Sequence, residues 1–420
     1  MPSQPADPAA SRGFAAEIVR RLRAAGHEAY WAGGCVRDEL LARIPADYDV
    51  ATAALPEIVR NLFGRKKTLA IGAAFGVITV LGPKPAGQVE VATFRTDADY
   101  TDGRHPAGVT FCSAREDAQR RDFTINGMFL DPLSGEVHDF IGGREDLAAG
   151  VVRAIGTPAM RFAEDHLRML RAVRFAAGFD FALEHNTRGA IERMTHLVGC
   201  VSPERIAAEL GAMTTRPGRG RALMLLEETG LAREVLPEVA PAANDTGGRA
   251  AWARAAAIVA ALDEPTLPQA VATLCEGKSP DRSAAIATRL RLSNHDAKAI
   301  AWLHAGVAEL GSQDRLASLQ WSRLQPWVAH VHAALLADLL RARADRGHGD
   351  PAAAAWFTQQ CGRPREEIDP PPLVTGRDLI AAGVSPGPAV GAALARIRER
   401  QLDGGVTTPE QALGMITRDS

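Results

Sequence analysis

Several features that would assign a protein class at once are scarce or missing in this 420-residue sequence. It has five scattered cysteines and no Cys-x-x-Cys pair, which argues against a zinc site or a disulfide framework and suits a reducing compartment. No hydrophobic run approaches the roughly 18 residues that a membrane-spanning helix needs. The first twelve residues lack the features of a secretory signal and are predicted to be a frayed end. These absences predict a cytoplasmic protein with no membrane segment.

Lysine is also scarce, with 5 Lys against 43 Arg and a net charge of -2. A GC-rich genome is the simplest explanation, and a nucleic-acid surface comes second because the net charge gives no hint of one. With 46% hydrophobic and 23% charged residues, the chain has the composition of an ordinary globular protein. Its length allows two or more domains with proper cores.

What is present is a glycine turn followed by a pair of carboxylates. The apolar run 29–32 ends in Gly33 and Gly34, which let the backbone turn sharply and approach a ligand closely. A helix predicted over Arg37–Leu41 carries Arg37 beside that turn. This arrangement is typical of a phosphate-binding site.

The carboxylates are Asp47 and Asp49, which a predicted strand projects from one face while Tyr48 and Val50 point the other way. Two carboxylates this close repel each other unless a cation lies between them. The common solution is Mg²⁺ that bridges them to the phosphates of a nucleotide. A lone Asp-x-Asp is more often a solvated turn, but the glycine turn just upstream favours the metal site.

A third carboxylate lies in the predicted strand Val89–Phe94. Alternation places Glu90 on the face opposite Val89 and Val91, where it is either an edge-strand charge or a third member of the metal site. The second interpretation is favoured. The polar, glycine-containing segment Thr96–Pro106 that follows is predicted to be a mobile loop.

Two adjacent arginines, Arg120 and Arg121, come shortly before Phe123 and Ile125. Adjacent arginines could be ordinary helix surface, but burial of the two apolar neighbours would anchor these to a core. Forked guanidinium groups fixed in this way suit the oxygens of a triphosphate.

The segment Glu164–Phe175 supports two interpretations. Asp165, Arg168, Arg171 and Arg174 recur at every third position beside an apolar stripe, which describes a salt-bridged amphipathic helix. The second interpretation is base recognition, because an Asp acceptor beside an Arg donor matches the Watson-Crick edges of cytosine and adenine. Guanine and uracil present the reverse order and would leave buried groups unpaired.

The predicted elements divide the chain into two kinds of structure. In the N-terminal part, helices over Arg12–Ala25 and Pro56–Leu62 alternate with strands over Phe75–Leu81 and Val89–Phe94. From Arg161 onward the sequence is rich in Ala, Leu and Arg, with Gly and Pro breaks and no further strand. The sequence thus predicts an α+β fold, in which a small mixed sheet with helices is followed by an all-α region.

Six ordered motifs resemble those of the class II tRNA nucleotidyltransferases, the CCA-adding enzymes, and of the bacterial poly(A) polymerases that share their N-terminal half. The match runs roughly from residue 28 to residue 215, and it is only general after about residue 220. The motifs are Gly33-Gly34-x-x-Arg37-Asp38, Asp47-x-Asp49, the strand with Glu90, Arg120-Arg-Asp-Phe-Thr-Ile-Asn126, Asp139-Phe-Ile-Gly-Gly-x-x-Asp146-Leu and Glu164-Asp-x-x-Arg168.

The resemblance implies a head, a neck, a body and a tail. The head, residues 1–150, holds the catalytic nucleotidyltransferase sheet, and the neck, 151–220, recognises the base. The helical body, 221–305, and the helical tail, 306–420, bind tRNA. Residues 151–221 contain 11 Arg against 7 acidic residues, a local excess of positive charge that fits a surface for RNA phosphates.

The resemblance also assigns the site. Asp47 and Asp49 hold Mg²⁺, while Glu90 helps to activate the attacking hydroxyl or completes the metal cage. Asp165 and Arg168 serve as the protein template for the base. The residues implied to bind the nucleotide are Gly33, Gly34, Arg37, Arg121, Asn126, Asp165, Arg168, Arg171 and Arg174.

The activity that the resemblance implies is template-independent addition of CCA to the 3′ end of tRNA from CTP and ATP, with release of pyrophosphate. The partner is tRNA, and no stable protein partner is predicted. A poly(A) polymerase stays open, because Gly64-Arg-Lys-Lys67 is similar to a basic element of the polymerases. An enzyme that adds only A is a further alternative that one sequence leaves open. Residues 71–77 are more similar to the CCA-adding pattern.

Two other interpretations carry less weight. A non-catalytic RNA-binding protein is the alternative of another class, and the intact carboxylates and arginines of the motifs argue against it. His295-Asp296 matches a dipeptide of metal-dependent phosphohydrolases, but no further ligands lie at suitable spacing. The pair is therefore predicted to be a helix start that Ser293 and Asn294 cap.

Overall fold

The computed structural model describes residues 7–97 and 109–416. The chain forms two compact units that divide between Pro237 and Glu238. The first unit combines a mixed sheet with helices, and the described part of the second is helical. The α+β prediction is confirmed, whereas the division into four domains stays a prediction. No described helix is both long and apolar enough to cross a membrane.

The first unit contributes the strands and the first eleven helices of the described chain. Its strands are β1 Ala29–Ala32, β2 Asp49–Thr52, β3 Thr68–Leu69, β4 Val77–Leu81, β5 Gln88–Thr93, β6 Arg95–Asp97, β7 Val109–Phe111, β8 Phe129–Leu130, β9 Val137–His138, β10 Val151–Val152 and β11 Ala182–Leu183. Its α-helices are α1 Pro8–Ala24, α2 Gly34–Leu40, α3 Pro56–Phe63, α4 Ala114–Gln119, α5 Gly143–Ala149, α6 Pro158–Glu164, α7 Arg168–Phe179, α8 His185–Met194, α9 Pro203–Thr215, α10 Arg219–Glu228 and α11 Leu231–Val235. Short 3-10 helices span Arg65–Lys67, Ala73–Phe75, Thr124–Asn126 and Thr195–Cys200.

The central sheet of the first unit has seven strands in the order β3-β4-β5-β2-β1-β8-β9. Its strands pair antiparallel except for β2 and β5, which run parallel with Asp49 opposite Glu90. In β5 the side chains of Val89 and Val91 are buried while Glu90 is exposed, as its alternation predicts. The two carboxylates therefore lie on the same face of adjacent strands.

Helices cover the two faces of this sheet differently. Helices α1 and α3 contact one face. On the face that carries Asp49, Ala114 and Ala118 of α4 pack against Ala32 and Ala51. Small alanine side chains thus join α4 to the sheet on the face that carries Asp49.

Helix α1 begins earlier than the sequence pattern suggests. The side chain of Asp7 accepts hydrogen bonds from the backbone N–H groups of Ala9 (2.9 Å) and Ala10 (3.3 Å), and Pro8 occupies the first helical position. The prediction of a frayed end is therefore wrong for residues 7–12. The capping pair Asp7-Pro8 was readable in the sequence.

Two other boundaries near the glycine turn also differ from the predictions. Helix α2 begins at Gly34 and not at Arg37, so the second glycine is already helical. Strand β2 begins at Asp49, and Asp47 lies in the irregular segment before it. The two carboxylates are therefore not alternate residues of one strand.

The strand predicted over 75–81 begins at Val77 as β4, because Ala73–Phe75 form a 3-10 turn that ends in Gly76 with a φ of 81°. The predicted mobile loop Thr96–Pro106 lies largely outside the described residues, although Thr96 itself belongs to β6. Strands β6 and β7 flank this segment and pair antiparallel.

The helical part of the first unit is built around α7. Met169, Leu170, Ala172 and Val173 of this helix are fully buried, and α9 and α10 pack against it. One prediction fails here, because β11 follows α7 and pairs in parallel with β10. Two-residue strands such as these have too short a pattern to be recognised in sequence.

The second unit consists of α12 Thr246–Ala261, α13 Leu267–Leu274, α14 Pro280–Arg289, α15 Asn294–Leu310, α16 Gln313–Ser318, α17 Trp321–Val328, α18 Ala333–Asp345, α19 Pro351–Cys361, α20 Arg365–Ile368, α21 Gly376–Ala381, α22 Pro388–Leu402 and α23 Pro409–Gly414. Its larger core includes Leu303, Leu336 and Phe357. The Ser293 hydroxyl accepts a hydrogen bond from the backbone N–H of Asp296 at 3.0 Å. The dipeptide His295-Asp296 is thus part of a capped helix start.

Candidate active site

Three carboxylates meet at the start of β2 and define what we term the carboxylate cluster: Asp47, Asp49 and Glu90. Burial, together with the charges of Asp47 and Glu90, raises the pKa of Asp49 to about 7, while Arg121 opposes the shift. The ordinary value is 3.8. The cluster therefore holds more negative charge than the neighbouring side chains compensate.

The glycine turn brings an arginine against this cluster. Gly33 has a φ of 76°, and a Cβ atom at this position would lie 3.2 Å from Nη1 of Arg121. A side chain here would both strain the backbone and displace that guanidinium group. The turn is thus shaped to let Arg121 lie directly beside it.

Arg121 is held in place by a buried acid on α4. Its Nε and Nη2 donate to Oδ2 of Asp117 at 3.1 and 2.9 Å, and Arg120 donates to Oδ1 of the same residue at 2.8 Å. Asp117 is 1% exposed. Burial alone would raise the pKa of this carboxyl, but the two arginines hold it below its usual value. The predicted anchors Phe123 and Ile125 are also fully buried.

Arg37 is buried and already engaged. Its Nη1 donates to Oδ1 of Asn126 at 2.6 Å, its Nε donates to Asp38 at 2.9 Å, and its guanidinium carbon lies 4.4 Å from the ring centre of Phe179. Asn126 donates in turn to Oδ1 of Asp122 at 3.1 Å. These contacts fix α2 relative to the 120–126 segment, and a direct contact of Arg37 or Asn126 with a nucleotide stays a prediction.

The break between α6 and α7 separates Asp165 from the helix that carries Arg168. Asp165 has extended backbone angles, so the every-third-residue pattern does not lie on one continuous helix. Oδ2 of Asp165 accepts from Arg205 at 2.8 Å, and Oδ1 accepts from the backbone N–H of Leu167 at 3.1 Å. The carboxylate is thus oriented from two sides.

Arg168 has its own partners and does not pair with the side chain of Asp165 in the described structure. Its Nη1 donates to Oε2 of Glu164 at 2.6 Å and to the backbone carbonyl of Arg161 at 3.0 Å. Arg168 is 8% exposed. One acceptor and one donor, three residues apart in the chain, are therefore each held by a separate neighbour.

Arg171 and Arg174 belong to what we term the neck network, formed by Asp122, Arg171, Arg174 and Glu209. Arg171 donates through Nε (3.0 Å) and Nη2 (2.7 Å) to Oδ2 of Asp122, and its Nη1 lies 3.7 Å from Glu209. Arg174 Nε donates to Glu209 at 2.6 Å. Burial would raise the pKa of Asp122, but Arg171 lowers it below its usual value. The network joins α7, α9 and the 120–126 segment.

Parts of the sequence match known protein families. Residues 29–153 match the poly A polymerase head domain family, and residues 180–243 match the family described as the probable RNA and SrmB-binding site of polymerase A. The CCA-adding enzyme of Geobacillus stearothermophilus is 44% identical over 215 residues, which are 51% of this chain and 52% of the relative. That of Enterococcus faecalis is also 44% identical, over 216 residues. Two parts of the chain thus match poly A polymerase families, and about half of the chain is similar to curated CCA-adding enzymes.

Similar structures extend the likeness beyond the matched sequence. The chain resembles the crystal structure of the Bacillus stearothermophilus CCA-adding enzyme in complex with CTP, with 28% identity, a TM-score of 0.74 and 96% of each chain covered. It shares its fold with the Thermotoga maritima CCA-adding enzyme complexed with tRNA, at 19% identity and a TM-score of 0.67. The sequence match itself spans about half the length of the curated relatives.

Nucleotidyltransferases of this family generally need a divalent metal ion. The carboxylate cluster fits that requirement, because Asp49 carries a pKa of about 7 that an adjacent cation would lower. The described residues contain no group of three or more His, Cys, Asp and Glu side chains arranged to hold a metal ion on their own. Ligands from the substrate or from water would therefore complete the coordination.

Sequence patterns did not identify the residues that hold the side chains of this site in position. Asp117 was detectable, because it lies three and four residues before the arginine pair on a helix. Arg205 and Glu209 lie 35 to 40 residues from their partners, and only the packing of α9 against α7 brings them near.

Proposed function

We propose that this protein adds CCA to the 3′ end of tRNA from CTP and ATP, with release of pyrophosphate. The observation that carries the proposal is the carboxylate cluster beside the glycine turn, together with an oriented Asp165 and Arg168. The relatives described above are CCA-adding enzymes, and one similar structure holds CTP. A cytoplasmic location is part of the proposal.

Mg²⁺ is the ion proposed for the carboxylate cluster, with Asp47 and Asp49 as its protein ligands. When bound, it supplies the positive charge that lowers the pKa of the RNA 3′ hydroxyl and neutralises the reacting phosphate. Glu90 lies on the same face as Asp49 and is placed to accept the hydroxyl proton or to complete the ligand set. Arg121, fixed by Asp117, is placed to bind the phosphates of the nucleotide.

Base selection follows from the polarity of the two reading groups. The Asp165 carboxylate accepts a hydrogen bond from an exocyclic amino group, and the Arg168 guanidinium donates to the unprotonated ring nitrogen beside it. Cytosine and adenine both offer this order, and guanine and uracil offer the reverse. Because Arg205 and Glu164 hold the two side chains, the reading edge is formed before the base arrives.

Poly(A) synthesis is the second candidate, since the matching head family carries that name and the basic stretch Arg65–Lys67 lies at the sheet edge before β3.

The decisive experiment incubates the protein with Mg²⁺, CTP, ATP and tRNA that lacks its 3′ triplet, beside a generic RNA. We expect three additions to the tRNA and then a stop, resolved on a sequencing gel. A long A ladder on the generic RNA would favour poly(A) polymerase. A single A added only to tRNA that ends in CC would favour an A-adding enzyme.

A further inference from the structure

The first unit contains a second cationic cleft, of about 230 Å³, at the end of α7 away from Asp165. Residues of the loop after α2, of the end of α7 and of the turn between α9 and α10 line it. The twelve residues Arg168–Phe179 place the two ends of α7 about 16 Å apart. The far end of the cleft is therefore distant from the base-reading edge, while Arg37 and Arg174, which the resemblance assigns to the nucleotide, line its near side.

The charge of this cleft is unbalanced. Arg37, Arg43, Arg174 and Arg216 line it, and Asp38 is the one carboxylate among its described lining residues. Arg37 pairs with Asp38 at 2.8 Å and Arg174 pairs with Glu209 at 2.6 Å. Within the described residues, neither Arg43 nor Arg216 has a carboxylate partner.

Contacts with α7 hold the guanidinium group of Arg43 and the backbone turn that follows Arg216. The guanidinium carbon of Arg43 lies 5.0 Å from the ring centre of Phe179. The turn after Arg216 packs tightly against α7, because a Cβ at Gly218, where φ is 82°, would lie 2.1 Å from the carbonyl oxygen of Ala177. A preformed pair of cations beside an aromatic ring is suited to a phosphate with a base attached.

We propose that this cleft binds a phosphodiester of the acceptor RNA near its 3′ end, through Arg43 and Arg216. This inference rests on the proposed function. Arg43 lies four residues before Asp47, in the same loop, so a strand bound there is led toward the carboxylate cluster. The apolar side chain of Ile44, which is 77% exposed and lines the cleft, offers a surface for the attached base. The incoming nucleotide is the other source of phosphate, and its base is already assigned to the far end of α7.

The test measures RNA affinity and nucleotide affinity separately. Arg43→Gln and Arg216→Gln are compared with Arg20→Gln, an exposed arginine on α1, which packs against the sheet face opposite Asp49. The Kd for tRNA that lacks its 3′ triplet is measured at several salt concentrations, and the KM for CTP is measured at saturating tRNA. Thermal unfolding confirms that each variant is folded, and Arg43→Lys and Arg216→Lys test the need for a positive charge.

We expect each glutamine variant to weaken tRNA binding about fivefold and to reduce the slope of log Kd against log salt by about 0.7 to 0.9, the value for one phosphate contact. The KM for CTP should stay within about twofold, and the lysine variants should recover most of the affinity.

A raised KM for CTP with unchanged tRNA binding would overturn the inference in favour of the triphosphate. Unchanged tRNA binding and unchanged KM would also overturn it. If the wild-type protein binds tRNA in this charge-dependent way but adds no CCA, the proposed function fails and the RNA subsite stands.

Discussion

The carboxylate cluster and the neck network are both built from charged side chains, but their charges are balanced differently. In the neck network each charge has an opposite partner within 2.6 to 3.7 Å, and the pKa of Asp122 lies below its usual value. In the cluster, burial and the like charges of Asp47 and Glu90 raise the pKa of Asp49 to about 7. Balanced charges fix positions, whereas unbalanced charges indicate where a ligand of opposite charge belongs. The predictions below test this distinction.

The largest effect is expected from neutralising the cluster. Asp47→Asn and Asp49→Asn should each reduce nucleotide addition about a thousandfold, because the charge that holds the cation is lost. Binding of tRNA should change by less than about twofold, since neither residue is proposed to contact it outside the reacting end. Labelled-nucleotide incorporation and a binding assay measure the two quantities, and activity within tenfold of wild type in both variants would contradict the assignment.

Removing a partner from the neck network should have its main effect on stability. Asp122→Asn removes the carboxylate nearest to Arg171 and leaves it only Glu209 at 3.7 Å, which is expected to cost about 1.5 to 3 kcal/mol in the free energy of unfolding. Urea unfolding measures this loss. The matched control is Glu192→Gln on α8, whose partner Arg188 is 40% exposed, and it should cost less than about 1 kcal/mol. Equal losses in the two variants would remove the distinction between network and surface pairs.

For Asp49→Asn we expect a gain in the free energy of unfolding, not a loss, when no divalent ion is present. The pKa of Asp49 is higher in the folded protein than in the unfolded chain. Its carboxyl therefore destabilises the folded state at any pH above the unfolded value of 3.8, and this destabilisation grows until the pH passes about 7. Asp49→Asn should therefore stabilise the protein at pH 8 in EDTA by roughly 1 to 4 kcal/mol. The gain should shrink as the pH falls toward 4. A variant less stable than wild type at pH 8 would show that Asp49 is compensated by contacts in the fold.

The base-reading assignment predicts a change in selectivity. Arg168→Ala should lower the preference for CTP and ATP over GTP and UTP by about 10- to 100-fold, because one of the two discriminating hydrogen bonds is lost. Competition among the four nucleotides measures it, with Arg188→Ala as the control on α8. A folded Arg168→Ala protein with unaltered selectivity would place the template elsewhere.

Local patterns predicted the parts of this fold that depend on neighbouring residues. The alternation in β5 correctly placed Glu90 opposite Val89 and Val91, and the apolar spacing of α1 was correct apart from its start. The break at Asp165 was not visible, because the charged and apolar pattern continues through it. Only the backbone angles of Asp165 and the capture of its carboxylate by Arg205 show where α6 ends.

The sequence alone could not predict which side chains hold the site residues in position, because these contacts depend on the packing of distant helices. Glu209 and Arg205 meet their partners because α9 packs against α7, and that packing depends on the whole helical core. The cationic cleft depends in the same way on the turn at Gly218, which local composition marks only as a loop.

The most direct test of the central claim is binding of a divalent ion together with a non-hydrolysable CTP analogue. Calorimetric titration with Mg²⁺ should give binding for the wild-type protein and for the folded variant Glu209→Gln, which alters the neck network. Asp49→Asn should lose that binding, because the cluster carries uncompensated negative charge that the ion neutralises. Wild-type affinity in Asp49→Asn would contradict the account.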